Sequence, residues 1–143
     1  MANTQAPGRL AVTIKETYLQ LKNMVDAQHA GTKLSVGARV QANNQNEIIV
    51  THTGHDAQMM RGTAIKHSHN LSIICFSKSY VSASELADDV FGHFSTQNTI
   101  NPSLLPDVDI VYYPEGQNMY YTDEDDFAVA VTVRAIVTDK TNI

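Results

Sequence analysis

Apolar residues recur along this chain with two different periods, which predict where helices and strands lie. A helical period of three or four residues comes first and comprises Ile14, Tyr18, Leu21 and Val25. Thr13 precedes Glu16 by three residues, as in a capping box, so the helix is predicted to begin there. Gly31 follows the last apolar position and predicts the end of the helix.

A second helical period follows a polar SKS connection. Leu86, Val90 and Phe94 are spaced by four residues, which predicts one buried face of a helix. Ser82 and Glu85 stand in capping-box register, so this helix is predicted to begin at Ser82.

The first half of the chain also contains strand-like segments, in which apolar and polar residues alternate. The stretch LSVGARVQANNQNEIIVTHT (34–53) predicts a hairpin with its turn at NNQN. GHDAQMMRG (54–62) is interpreted as a loop. Residues 64–77 predict either one long strand or two strands that meet near HSHN, since strands usually have only about 5–6 residues.

The last third of the chain predicts a second hairpin. VDIVYY (108–113) and MYY (119–121) are predicted strands, with a turn at PEGQN between them. TDEDD (122–126) is interpreted as a solvated acidic turn, because it lacks the glycine and the distal glutamate of a calcium-binding EF-hand loop. FAVAVTVRAIV (127–137) predicts the final strand.

These elements predict an α+β fold: a mainly antiparallel sheet with two helices packed on one face. All 143 residues are expected to form a single domain, with flexible ends at 1–9 and 139–143.

Composition narrows the classes of function. The formal net charge is −5, and the ten Lys and Arg residues are scattered, so the basic cluster of a nucleic-acid-binding face is missing from the sequence. The single cysteine, Cys75, excludes an internal disulfide and lies in the apolar run LSIICF, where a thiol is usually a small buried hydrophobe. The chain has no run of about 18 apolar residues, so neither a membrane span nor a membrane partner is expected, and a reducing cytoplasm is the expected place of synthesis.

Four of the six histidines lie in one short window, HTGHD (52–56) and HSH (67–69). His52 and His55 flank Gly54 and could converge across a turn, and His67 and His69 share one face of a strand. Zinc needs three or four converging ligands, and the window lacks the helical HExxH arrangement. We therefore interpret His52 and His55 as solvated loop residues, and His67 and His69 as residues of a half-exposed strand end.

No catalytic, metal-binding or cofactor-binding residue is assigned from the sequence, and no cofactor is expected. GxSxG, GxGxxG and Walker motifs are missing from the sequence. Two alternatives stay open: a small metal-dependent enzyme that uses His52, His55, His67 and His69, and a homo-oligomeric binding module without chemistry.

The pattern of apolar and polar residues in two segments resembles that of a known protein family. LSIICFSKSYVSASELADDVFGHF (71–94) is an apolar strand that leads through SKS into a helix, and DDFAVAVTVRAIVTD (125–139) is a long alternating strand. With the first helix, this order of elements over residues 10–138 resembles the tail-terminator, tail-completion or neck proteins of long-tailed bacteriophages.

The resemblance implies a non-enzymatic virion protein that is assembled in the host cytoplasm. It implies a hexameric ring of identical copies that caps the tail tube and joins it to the head connector, so the partners would be other copies, the tail tube protein and neck proteins. DNA would only pass through the channel. If such a ring forms, the four histidines are expected where subunits or partner rings meet, and protonation near pH 6 would then affect assembly.

Overall fold

The computed structural model describes residues 10–37, 46–59, 65–96, 99–100, 108–121 and 127–139. The elements in chain order are α1 (Leu10–Gln28), β1 (Lys33–Val36), β2 (Glu47–Met59), β3 (Ile65–Ser77), α2 (Tyr80–Thr96), β4 (Thr99–Ile100), β5 (Val108–Tyr121) and β6 (Phe127–Asp139). Of the ends predicted to be flexible, only Asp139 lies within these ranges, and it is the last residue of β6.

The described strands form one six-stranded sheet in the order β1-β2-β3-β6-β5-β4. Every neighbouring pair is antiparallel except β1 and β2, which are parallel. The two helices pack on one face of this sheet, so the predicted α+β fold is confirmed.

The predicted hairpin over residues 34–53 is wrong. Lys33 pairs with Glu47 and Val36 pairs with Val50, so β1 and β2 run in the same direction. Alternation predicts that a segment is extended, but it carries no information on the direction of its neighbour. The predicted turn NNQN lies outside the described residues apart from Asn46.

β3 is one continuous strand, which decides between the two predictions for residues 64–77. It pairs along its whole length with β6 and along most of it with β2. The predicted loop at 54–62 is wrong for its first six residues, because β2 continues to Met59 after a bulge between His52 and Gly54. Antiparallel pairing with β3 satisfies the backbone there, which outweighs the loop-forming composition.

β5 also replaces a predicted turn with a strand. PEGQN lies within β5, which bulges between Pro114 and Gly116 while it pairs with β6. Within the described residues, β4 pairs with Val111 and Ile110 of β5. Pro114 lies beyond that pairing, so among these residues its missing N–H interrupts no ladder on that side. The predicted acidic turn TDEDD lies outside the described residues.

Both helices begin earlier than the capping boxes predict. α1 already includes Leu10, and Thr13 lies inside it, where its carbonyl accepts a hydrogen bond from Thr17 Oγ1 at 2.7 Å. α2 begins at Tyr80, and Ser79 Oγ accepts the Ser82 N–H at 3.4 Å, so Ser79 rather than Ser82 is the N-cap. α1 ends before Gly31, whose φ of +94° fits the predicted helix end.

The predicted buried face is confirmed for α2 and shifted for α1. Leu86, Val90 and Phe94 are fully buried. In α1 Ile14 and Tyr18 are only half-buried, and three polar residues on the neighbouring stripe take their place in the interior: Thr13, Glu16 and Thr17. The helix therefore turns a partly polar stripe towards the sheet and leaves part of its apolar stripe accessible.

Candidate functional site

The histidine window lies in two adjacent antiparallel strands. HTGHD belongs to β2 and HSH to β3, and the register pairs His52 with Leu71 and His55 with His69. The loop position predicted for His52 and His55 is therefore wrong. The His55 side chain lies outside the described part of the structure.

Three of the four histidines come together on one face of the sheet, and we call His52, His67 and His69 the histidine cluster. His52 is half-buried. His67 and His69 are 3% and 0% exposed, so the predicted half-exposed strand end is wrong. The ring centroids of His52 and His69 lie 5.6 Å apart, and those of His67 and His69 lie 6.3 Å apart. His67 and His69 share the parity of Leu71, Ile73 and Cys75, so they lie on the face of the sheet on which the helices pack.

Burial contradicts the predicted position at a contact between subunits or partner rings for His67 and His69, because both are enclosed within one copy of the chain. Among the described residues, no three His, Cys, Asp or Glu side chains are grouped so that they could hold a metal ion. The histidine cluster lines neither the polar cleft between α1 and α2 nor the apolar groove beside β1, which are described below. A catalytic base must reach its substrate, and the burial of His67 and His69 disfavours that role for these two residues.

Cys75 is fully buried in the apolar core, as the sequence predicts. Burial raises the pKa of its thiol to about 12. A nucleophilic cysteine requires the thiolate, so this environment disfavours covalent chemistry at Cys75.

A chain of polar contacts joins α1 to α2 and β5. Gln20 Nε2 donates to Glu16 Oε2 at 3.3 Å, and Gln20 Oε1 lies 3.3 Å from His93 Nε2 in α2. Burial lowers the pKa of His93. One turn away, Thr17 Oγ1 lies 2.9 Å from the hydroxyl of Tyr112, whose pKa is raised by burial. The sequence carries no signal for this network, because its partners lie up to 95 positions apart.

A polar cleft of about 330 Å³ lies between α1 and α2. It is lined by Gln28, Asp88, Asp89, Gly92, His93 and Thr96. Asp89 pairs with His29 Nε2 at the end of α1, and this contact connects the two helices at the surface. Since one of the two acidic groups already has a partner, the cleft is best explained as part of the helix packing.

Apolar side chains form an open groove beside the edge strand. Ile14, Lys15, Tyr18, Leu19 and Val36 line a space of about 470 Å³ between the outer side of α1 and β1, and we call this the apolar groove. Leu19 and Val36 are 42% and 46% exposed. β1 is at the end of the strand order, so one of its edges has no strand partner among the described residues.

A second exposed apolar surface lies at the end of the sheet where β3 leads into α2. The rings of Tyr80 and Phe127 meet edge to face with centroids 5.9 Å apart. Val81 beside them is 65% exposed, and we call these three residues the aromatic knob. Exposed apolar groups gathered in this way are typical of surfaces that bind other proteins.

Within the described residues, no helix is both long and apolar enough to cross a membrane. No protein-family model matches the chain, and no curated protein sequence matches it. The chain is similar to a solved chain described as "Virion of native gene transfer agent (GTA) particle". The TM-score is 0.56 at 11% identity, and the match covers 85% of this chain and 91% of that chain. A likeness at this identity shows a shared fold.

Proposed function

We propose that this chain is a structural protein of a phage or phage-like virion, and more specifically a tail terminator or a neighbouring neck component. The observation that carries the proposal is the fold that it shares with a chain of a gene transfer agent virion over most of both chains. The order of elements, which resembles the tail-terminator family on the sequence alone, points to the same class.

The surface of the described residues suits a protein whose role is to bind other proteins. The apolar groove and the aromatic knob offer two places for other proteins, whereas His67, His69 and Cys75 are buried. In this role, a ring of identical copies would cap the tail tube and receive the head connector. In this proposal the protein is not an enzyme, its place is the virion, and DNA only passes through the ring.

Electron microscopy of tail tubes tests this proposal. Isolated tubes from the same particle are incubated with the purified chain carrying a gold label, and a second sample contains an excess of unlabelled chain. The label is expected at one end of each tube and is expected to disappear under competition. A label along the tube wall, or no label on intact tubes, would contradict the proposed role.

A further inference from the structure

The buried stripe of α1 changes from polar to apolar at the middle of the helix. In the first half, residues 10–20, every buried residue is polar: Thr13, Glu16 and Thr17. In the second half, residues 21–28, every buried residue is apolar: Leu21, Met24 and Val25. Their spacing places both sets on one continuous face of the helix. We call residues 10–20 the arm and residues 21–28 the anchor.

The apolar core holds the anchor. The three buried residues of the anchor belong to the main core cluster, which also includes Ile48 and Val50 of β2. Just past the anchor, His29 pairs with Asp89 of α2. Because apolar burial is the main stabilising contribution in a fold, the anchor is expected to open only when the core opens.

Polar contacts hold the arm instead. Thr17 Oγ1 accepts a hydrogen bond from Tyr112 in β5, and Gln20 Oε1 accepts one from His93 in α2. Glu16 is 6% exposed, and its Oε2 accepts a hydrogen bond from Gln20. Its Oε1 is buried and has no hydrogen-bond partner among the described residues. Since the lost hydration of this oxygen is not replaced there, Glu16 disfavours the docked position of the arm.

The arm is also a weak helix on its own. β-branched residues lose side-chain freedom in a helix, and they occupy four of its eleven positions: Val12, Thr13, Ile14 and Thr17. The anchor contains one, Val25. Isolated helices shorter than about 12–15 residues are marginal in water. Away from the sheet, the arm is therefore expected to lose its helical structure.

We propose that the arm is a releasable segment, which leaves the sheet and unfolds as a unit while the anchor and the rest of the fold stay intact. The boundary lies between Gln20 and Leu21, where the last polar contact of the arm is followed by the first apolar contact of the anchor. Release uncovers the hydroxyl of Tyr112 and changes this region without opening the core. The inference concerns a single copy of the chain and does not rest on the proposed function.

Residue-resolved hydrogen exchange of the full chain tests the release. By the bonding pattern of an α-helix, the amides of residues 14–24 bond to carbonyls of the arm, and those of residues 25–28 bond to carbonyls of the anchor. The protection factors of the first group are expected to be similar to one another and about a hundredfold lower than those of the second. Equal protection in both groups, or a gradual change along the helix as in ordinary fraying of its end, would overturn the proposal.

Low concentrations of urea distinguish release from global unfolding without any substitution. Release exposes little surface, so the exchange of residues 14–24 is expected to depend weakly on urea. The exchange of residues 25–28 is expected to depend strongly on urea, because it requires the core to open. The same strong dependence in both groups would show that the arm opens only with the core, and would overturn the proposal.

Val129→Ala tests the same point with a core variant. Val129 is buried in β6 and lies six positions from Ala135, the pairing partner of Tyr112, so the substitution weakens the core away from the arm. It is expected to lower the protection factors of residues 25–28 by about tenfold or more and to leave those of residues 14–24 within about twofold of the wild type. An equal decrease in both groups would contradict an independent arm.

Glu16→Met tests the role of the buried carboxylate. Met and Glu have similar helix propensities, so the main change is the loss of the buried charge. The protection factors of residues 14–24 are expected to rise by about tenfold. Glu85→Met, the same substitution at an exposed position of α2, is the matched control and is expected to leave them unchanged. Protection in Glu16→Met that is equal to or lower than that of the wild type would overturn the role assigned to Glu16.

Discussion

The hydroxyl of Tyr112 donates a hydrogen bond to Thr17 Oγ1 across 2.9 Å, and this bond fixes α1 on the sheet. The direction follows from a count of protons. Thr17 has a single hydroxyl proton, and it donates that proton to the carbonyl of Thr13 at 2.7 Å. Tyr112 must therefore supply the proton of the second bond, which is consistent with a pKa raised by burial.

Replacing Thr17 by valine is expected to destabilise the fold more than replacing Tyr112 by phenylalanine. Thr17→Val leaves a buried phenol donor without its acceptor, which costs about 1–3 kcal/mol, whereas Tyr112→Phe removes the donor itself and costs about 1 kcal/mol. Urea unfolding of both variants and of the double variant measures the difference. A double variant that is as unstable as the sum of the two single variants would show that the two hydroxyls do not interact.

Cys75 is expected to make stability depend on pH in the alkaline range. Its pKa is raised from 9.0 to about 12, so its contribution is complete below pH 9 and is lost as the pH rises from 9 towards 12. Between pH 8 and pH 10 the wild type is expected to lose about 1.4 kcal/mol more of its free energy of unfolding than Cys75→Ala does. Tyr112 has a raised pKa in both proteins and cancels from the comparison. Equal losses in the two proteins would contradict the buried position of the thiol.

Ser79 is expected to stabilise α2, and Ser82 is not. Ser79 Oγ accepts the Ser82 N–H, so Ser79→Ala removes the cap and costs about 1 kcal/mol. Ser82→Ala, the matched control, lies three residues later inside the helix and is expected to change the free energy of unfolding by less than about 0.5 kcal/mol. Thermal unfolding of both variants distinguishes the positions, and the reverse order would support the capping box that the sequence predicts.

The histidine cluster is expected to act through packing rather than through a metal. His69→Ala removes a fully buried ring and is expected to cost about 2 kcal/mol or more of unfolding free energy. A chelator is expected to leave the unfolding temperature of the wild type unchanged, and protein purified without a histidine tag is expected to contain far less than one zinc per chain. One zinc per chain that is lost in His67→Ala would instead support the metal-enzyme alternative.

Local periodicity was sufficient to predict the buried face of an element when that face can be identified from the element's own sequence. Leu86, Val90 and Phe94 form the buried face of α2 as predicted, and the parity of His67 and His69 with Cys75 was visible in β3. Periodicity could not predict how far the buried core extends along the face of β3 that these residues share. Both imidazoles are buried, although histidines next to a polar run suggest exposure.

The remaining differences arise from contacts between distant residues. Three polar residues of α1 resemble surface residues in the sequence but are buried in the fold: Thr13, Glu16 and Thr17. Tyr112, 95 positions away, supplies the hydrogen-bond partner of Thr17. The parallel pairing of β1 with β2 likewise depends on the position of the whole segment. The apolar groove and the aromatic knob likewise exist only after α1 and α2 have packed on the sheet.

Electron microscopy of particles assembled without this chain tests the central claim most directly. If the chain is a tail terminator, as proposed, a tube that lacks it has nothing to stop its growth and no surface that receives the head connector. The account therefore predicts heads without tails, together with free tails of irregular length, and it predicts normal particles when the chain is supplied from a plasmid. Tails of normal length joined to heads in the absence of the chain would contradict it.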